Sequence, residues 1–207
     1  MVGDGLAWLV DGDSYFSDSY WVLFARGLST EELTARLRGE LVSQQPLTLK
    51  QLWALEDYPS YDNPNSSDFL RLGTLGDWTF AFGEAHPDSF SSTDACNDVA
   101  PTETVIYTRN AHKASTWFIY ADRGSAPVWL AVGDSHFQLP AGMAKLQQPL
   151  AEAGLLTQNG HGNPQATDRQ ALRFGETSFG LSLPRHDLER GALLAARIAR
   201  QAHAPLA

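Results

Sequence analysis

With one cysteine, Cys96, in 207 residues, the chain has no intramolecular disulfide, which fits a reducing compartment. It also lacks any apolar run near the roughly 20 residues of a bilayer-spanning helix, so no membrane partner is expected. No Lys or Arg precedes the short apolar segment 6–10, and Asp11 ends it at once. That argues against a secretory signal and for the cytoplasm. Basic residues are scarce, 15 against 24 acidic ones, giving a formal charge of −9. Arg109, Lys113 and Arg123 stand apart, and Arg185, Arg190, Arg197 and Arg200 share their segment with Asp187 and Glu189. No cationic patch meets a phosphate backbone, so nucleic acid is not an expected partner. No histidine pair stands at metal-ligand spacing, one cysteine cannot nucleate a zinc site, and no glycine-rich phosphate loop occurs. The expectation is therefore no metal and no cofactor.

What is present begins with 20–41. Residues 20–25 are apolar on both alternating faces, as in a short strand covered on both sides. Arg26 and Gly27 break the run, and Ser29 stands three residues before Glu32, the spacing of a capping box, so a helix starts there. Leu33, Leu37 and Leu41 share one face of it, and Gly39 weakens its end. Thr48 and Gln51 repeat the box before a shorter helix whose apolar set is Leu49, Leu52, Trp53 and Leu55. Residues 69–72 and 78–82 flank a glycine-bearing turn and read as a hairpin. Strands follow at 104–108, 115–121 and 126–132, with Trp117, Ile119 and Ala121 on one face and Phe118 and Tyr120 on the other. Segments 57–68 and 85–103 read as long polar surface excursions, and 159–171 as loop. Residues 6–10 read as an opening strand, 140–153 as helix with Pro149 opening a second piece, and 183–202 as a closing helix rich in Ala, Leu and Arg. The expected architecture is one α+β domain over 1–207, with a mainly antiparallel sheet of five to six strands covered by helices.

Motifs that would carry chemistry fail on their partners. Asp11, Asp13 and Asp18 invite a calcium loop, but counting from Asp11 puts Phe16 where glycine is needed and Val22 where a glutamate is needed. Gly12-Asp13-Ser14 and Gly133-Asp134-Ser135 each follow an apolar run and resemble the first block of GDS-type esterases. Those hydrolases place an Asp three residues before the catalytic His, and none of the six histidines here has one.

The order of features resembles a family of uncharacterised actinobacterial proteins. The resemblance rests on Trp8, on a strand running into Arg26-Gly27-Leu28 and the capped helix, on Gly76-Asp77-Trp78 with the strand ending near Glu84, on the Trp- and Phe-containing hairpin and on the closing Arg/Ala/Leu helix. It implies a cytoplasmic bacterial accessory protein and no established activity.

The leading expectation is a non-catalytic protein-binding molecule, immunity-like or regulatory, whose acidic surface engages another protein, a basic one by charge. Tyr58, Tyr61, Asp62, Asp94 and Asp98 are its candidate contacts. An alternative is a small-molecule-binding protein or serine hydrolase-like enzyme, with a cavity lined by Trp78, Phe80 and Trp117 and with Ser14 or Ser135 as nucleophile. A third is an architectural role.

Overall fold

The structure is a computed structural model that describes residues 3–16, 18–55, 68–84, 92–99, 102–110, 115–122 and 125–198. The strand at β1 (Ser19–Arg26) lies well inside the sheet, paired antiparallel with β5 (Trp78–Gly83) on one side and β6 (Thr104–Asn110) on the other. Its alternating side chains go to two different cores. Tyr20, Val22 and Phe24 enter one, and Trp21, Leu23 and Ala25 enter the other. Each large apolar side chain so enclosed contributes about 1.5–3 kcal/mol, which is why this doubly apolar run takes an interior position.

The remaining strands are β2 (Gly39–Leu41), β3 (Leu47–Thr48), β4 (Asp68–Leu75), β7 (Ser115–Ala121), β8 (Val128–Ala131) and β9 (Ala192–Ile198). Their order is β2-β9-β4-β5-β1-β6-β7-β8, with β3 also on β9, and every pairing is antiparallel. The sheet is mainly antiparallel, as the sequence indicates, but it has nine strands among the described residues rather than five to six. Helices α1 (Thr30–Arg36) and α3 (Ser92–Val99) cover one face. On the other face lie α4 (Gln147–Glu152) and α5 (Asp168–Phe179), while α2 (Leu49–Trp53) and α6 (Arg185–Glu189) also contribute buried leucines there.

Both expected capping boxes form. Ser29 Oγ accepts from the Glu32 N–H at 3.1 Å while Glu32 accepts from the Ser29 N–H at 2.8 Å, and Thr48 and Gln51 do the same for α2. Helix α1 stops before Gly39, because Arg38 takes the left-handed conformation (φ 57°) and the chain turns directly into β2. Gly39 serves close approach instead: a Cβ there would lie 3.0 Å from the Arg197 carbonyl oxygen of β9.

Five expectations change. Segment 85–103, expected as a polar surface excursion, contains α3, whose Ala95, Cys96 and Val99 are buried in the same core as Leu33 and Leu37. Residues 6–10 form a short 3-10 turn (Ala7–Val10), since the Glu176 carboxylate accepts the Leu6 and Ala7 N–H groups and satisfies a helix start rather than a strand. Segment 159–171 contains the start of α5, capped by a third box, Thr167 with Gln170, and closed by Gly180 at φ 68°. The expected helix at 140–153 is a 3-10 segment (Ala141–Leu146), kinked at Met143, that runs into α4. The expected closing helix at 183–202 is α6, only five residues long, followed by β9.

Buried Arg71 on β4 explains this last change. Its guanidinium donates to the carbonyls of Asp187 and Gly191 at 3.0 Å each, to that of Leu188, and to Leu47 of β3 at 3.5 Å. Carbonyls that a continuing helix would bond are thereby taken, and the positive charge sits at the negative end of α6. The chain leaves α6 through Gly191 and runs as β9 between β4 and the β2/β3 pair, where Ala195 faces Arg71 across the ladder.

Candidate binding surface

The loop after the first 3-10 turn is held from three directions. Asp11 pairs with Arg169 of α5, Asp13 pairs with Arg185 of α6 at 3.3 Å, and Phe16 is buried against Trp8 and Phe82, with ring centroids 6.4 and 4.7 Å away. Two of the three carboxylates that suggest calcium in the sequence, Asp11 and Asp13, are thus partnered by arginines. Among the described residues no three His, Cys, Asp or Glu side chains gather as metal ligands.

Burying Phe16 turns its neighbour Tyr15 outward, where it is 61% exposed. Its ring lies 5.5 Å from that of Trp53, tilted by 33°, and 5.5 Å from Phe16 edge-on. Trp53 closes α2 and is 37% exposed, because Leu49 and Leu52 occupy the buried stripe of this short helix and the next residue falls outside it. Partial burial, and then the negative charge of Glu84 at the end of β5, push the Tyr15 phenol above its usual pKa. Two aromatic rings in contact, rooted in the core through Phe16, therefore stand within the field of the Glu84 carboxylate, and Asp13 lies two residues before Tyr15 in the same loop. Asp13 remains 75% exposed despite its arginine.

The contacts expected from sequence fare differently. Tyr58, Tyr61 and Asp62 lie outside the described residues. Asp94 falls in α3, and its side chain lies outside them too. Asp98 is not a free surface acid: it bonds Arg38 at 2.8 Å, tying α3 to the turn between α1 and β2. Trp78, Phe80 and Trp117 do not line one cavity. Trp78 and Phe80 are buried in the core beneath α5, with the Trp78 indole N–H donating to the Phe179 carbonyl at 3.0 Å. Trp117 shares the opposite face with Ile119 and is 37% exposed, its ring 6.3 Å from that of Trp129. Strand alternation separates them: the hairpin and β7 contribute to the sheet with opposite parity at these positions.

Nor is a nucleophile assembled. Ser14 is buried, its Oγ accepting from the Phe16 N–H at 3.3 Å. Ser135 is exposed in a turn after Gly133 (φ 84°). None of the described histidines, His136, His161 and His186, hydrogen-bonds either serine. Burial pushes the Cys96 thiol up to about 12, so desolvation rather than neighbouring acids keeps it protonated. A polar chain at one end of the sheet closes on itself. Arg26 lies 4.5 Å over Trp78 and pairs with Glu103 at 2.9 Å. Glu103 accepts from the Tyr120 hydroxyl at 3.0 Å, and Lys145 sits over the Tyr120 ring and pairs with Asp122. Its groups are spent on one another.

No protein-family model matches the chain, and no curated protein or solved structure matches it either. No helix among the described residues is long and apolar enough to cross a membrane.

Proposed function

We propose that the chain is a non-catalytic binding protein, of the immunity-like or regulatory accessory kind and working in the cytoplasm. In this reading it engages a basic protein partner through Tyr15 and Trp53. The observation that carries the reading is the exposed Tyr15–Trp53 contact in the field of Glu84, on a loop that also presents the exposed carboxylate of Asp13. Aromatic faces attract Arg and Lys side chains, by about 0.5–1 kcal/mol at exposed sites, and Tyr and Trp give rigid contact area at small entropic cost. A formal charge of −9 adds long-range attraction for a cationic surface, which raises association rates more than affinity.

The test is affinity capture from host lysate at low and moderate salt, with wild type and Tyr15→Ala compared. Tyr15 is mostly in water, so its truncation leaves the fold nearly unchanged. The expected result is a stoichiometric basic protein, retained several-fold less as salt rises and lost from Tyr15→Ala. A partner held equally by both proteins, or a small molecule in place of a protein, contradicts the reading.

A further inference from the structure

Strand β8 ends the sheet, and its outward backbone groups form an unusual series. Thr116 lies opposite Val132, and the Val132 N–H donates to the Thr116 carbonyl at 2.9 Å. Antiparallel pairing alternates, so Val128, Leu130 and Val132 direct their backbone groups at β7, while residues 127, 129 and 131 direct theirs away from the sheet. Pro127 has no N–H and offers only its carbonyl. Trp129 offers both groups. Ala131 offers only its N–H, because its carbonyl already accepts the Asp134 N–H at 3.1 Å. Among the described residues no group accepts from the Trp129 or Ala131 N–H.

Along the edge the order is therefore acceptor, donor with acceptor, donor. Read in the opposite direction, that series is its own complement. The geometry points to a second copy of this chain as the occupant of the edge, with β8 paired antiparallel to β8 about a twofold axis at Trp129. In this register the two Trp129 residues exchange both bonds, and each Ala131 N–H meets the Pro127 carbonyl of the other copy. Four hydrogen bonds form and no outward group is left over. A one-residue slip would oppose residues of the wrong parity, and a two-residue slip would ask Ala131 for an acceptor already in use in one direction or Pro127 for an N–H it lacks in the other.

The side chains agree with this register. Trp129 packs against the core beneath α1 and α3, on the same face as exposed Trp117. Directly opposed residues of an antiparallel pair share a face, so the twofold sets Ile119, Trp129, Trp129 and Ile119 in one row across the junction, with each Trp117 diagonal to the Trp129 of its own copy. On the reverse face Val128 and Leu130 are already buried within each copy. The strand Val128–Ala131 carries no charge, so the acidity of the whole chain is not concentrated where the copies meet. Isologous pairing of this kind closes after two copies.

The test is amide hydrogen exchange on the wild-type protein at about 1 μM and about 200 μM, the range in which a small interface associates. The Trp129 and Ala131 amides are expected to exchange at least tenfold more slowly at the higher concentration, whereas Leu130, bonded within the monomer, does not change. Equal rates for Trp129 and Ala131 at both concentrations overturn the proposal. Ala131→Pro removes an N–H that β7 does not use, a position where an edge strand tolerates proline. The folded variant, checked by circular dichroism, is expected to sediment as a monomer, and a folded variant that still dimerises also overturns it. Should the variant not fold, the wild-type exchange rates decide alone.

Discussion

The two edges of the sheet are built on opposite plans. At one edge the outer strands are three and two residues long, Glu40 is paired with Arg197 across the β2–β9 ladder, and Arg71 reaches the Leu47 carbonyl of β3 from beneath. Short strands and charges on an edge discourage further pairing. At the other edge β8 carries Val, Trp, Leu and Ala, with a proline only just before it, and its Trp129 shares a face with Trp117 of β7. The difference teaches that edge protection here is selective: the protein spends charge and brevity on one side and leaves the other with a self-complementary set of backbone groups.

Breaking the guarded edge is the severest way to test that contrast. Arg71→Ala leaves the buried Leu188 carbonyl and the part-buried carbonyls of Asp187 and Gly191 without their donor and frees both β3 and the turn into β9. A loss of about 3 kcal/mol is expected, read as a lower urea midpoint at unchanged slope. Ser29→Ala removes the cap of the helix that delivers β2 and should cost about 1 kcal/mol in the same assay. Glu40→Ala removes an exposed ion pair, and its effect on stability should stay within about 0.5 kcal/mol. If Glu40→Ala instead proves as costly as Arg71→Ala, the guarded edge is held by its surface charges and the contrast is drawn in the wrong place.

Where local signals and tertiary context agree, the sequence is legible. The run at 20–25, apolar on both faces, lies in the interior of the sheet, and Ser29 with Glu32 and Thr48 with Gln51 start helices because a capping box is satisfied within four residues. Helix α5 carries the same signature, Thr167 with Gln170 and then Gly180, but it lies after a polar stretch that reads as loop. Strand β9 is the opposite case. Its Ala, Leu and Arg residues favour helix, and only Gly191 hints at a break; the deciding partner, Arg71, is distant in sequence and no periodicity reveals it. At the site the limits are similar. Trp53 reads as part of an apolar stripe until the orientation of α2 is known. Tyr15 is exposed because Phe16 is the residue that finds the core, and Asp98 loses its freedom to an arginine on another element. Side-chain alternation within β7 is correct from sequence, but which face Trp78 shares with it depends on strand order.

The most direct test of this asymmetry is the light-scattering mass of the wild-type protein along a dilution series. The account predicts a mass that falls from twice that of the chain to that of one chain as concentration drops, with no larger species, because β8 pairs once and the guarded edge not at all. A single-chain mass throughout, or growth beyond the dimer, would contradict it.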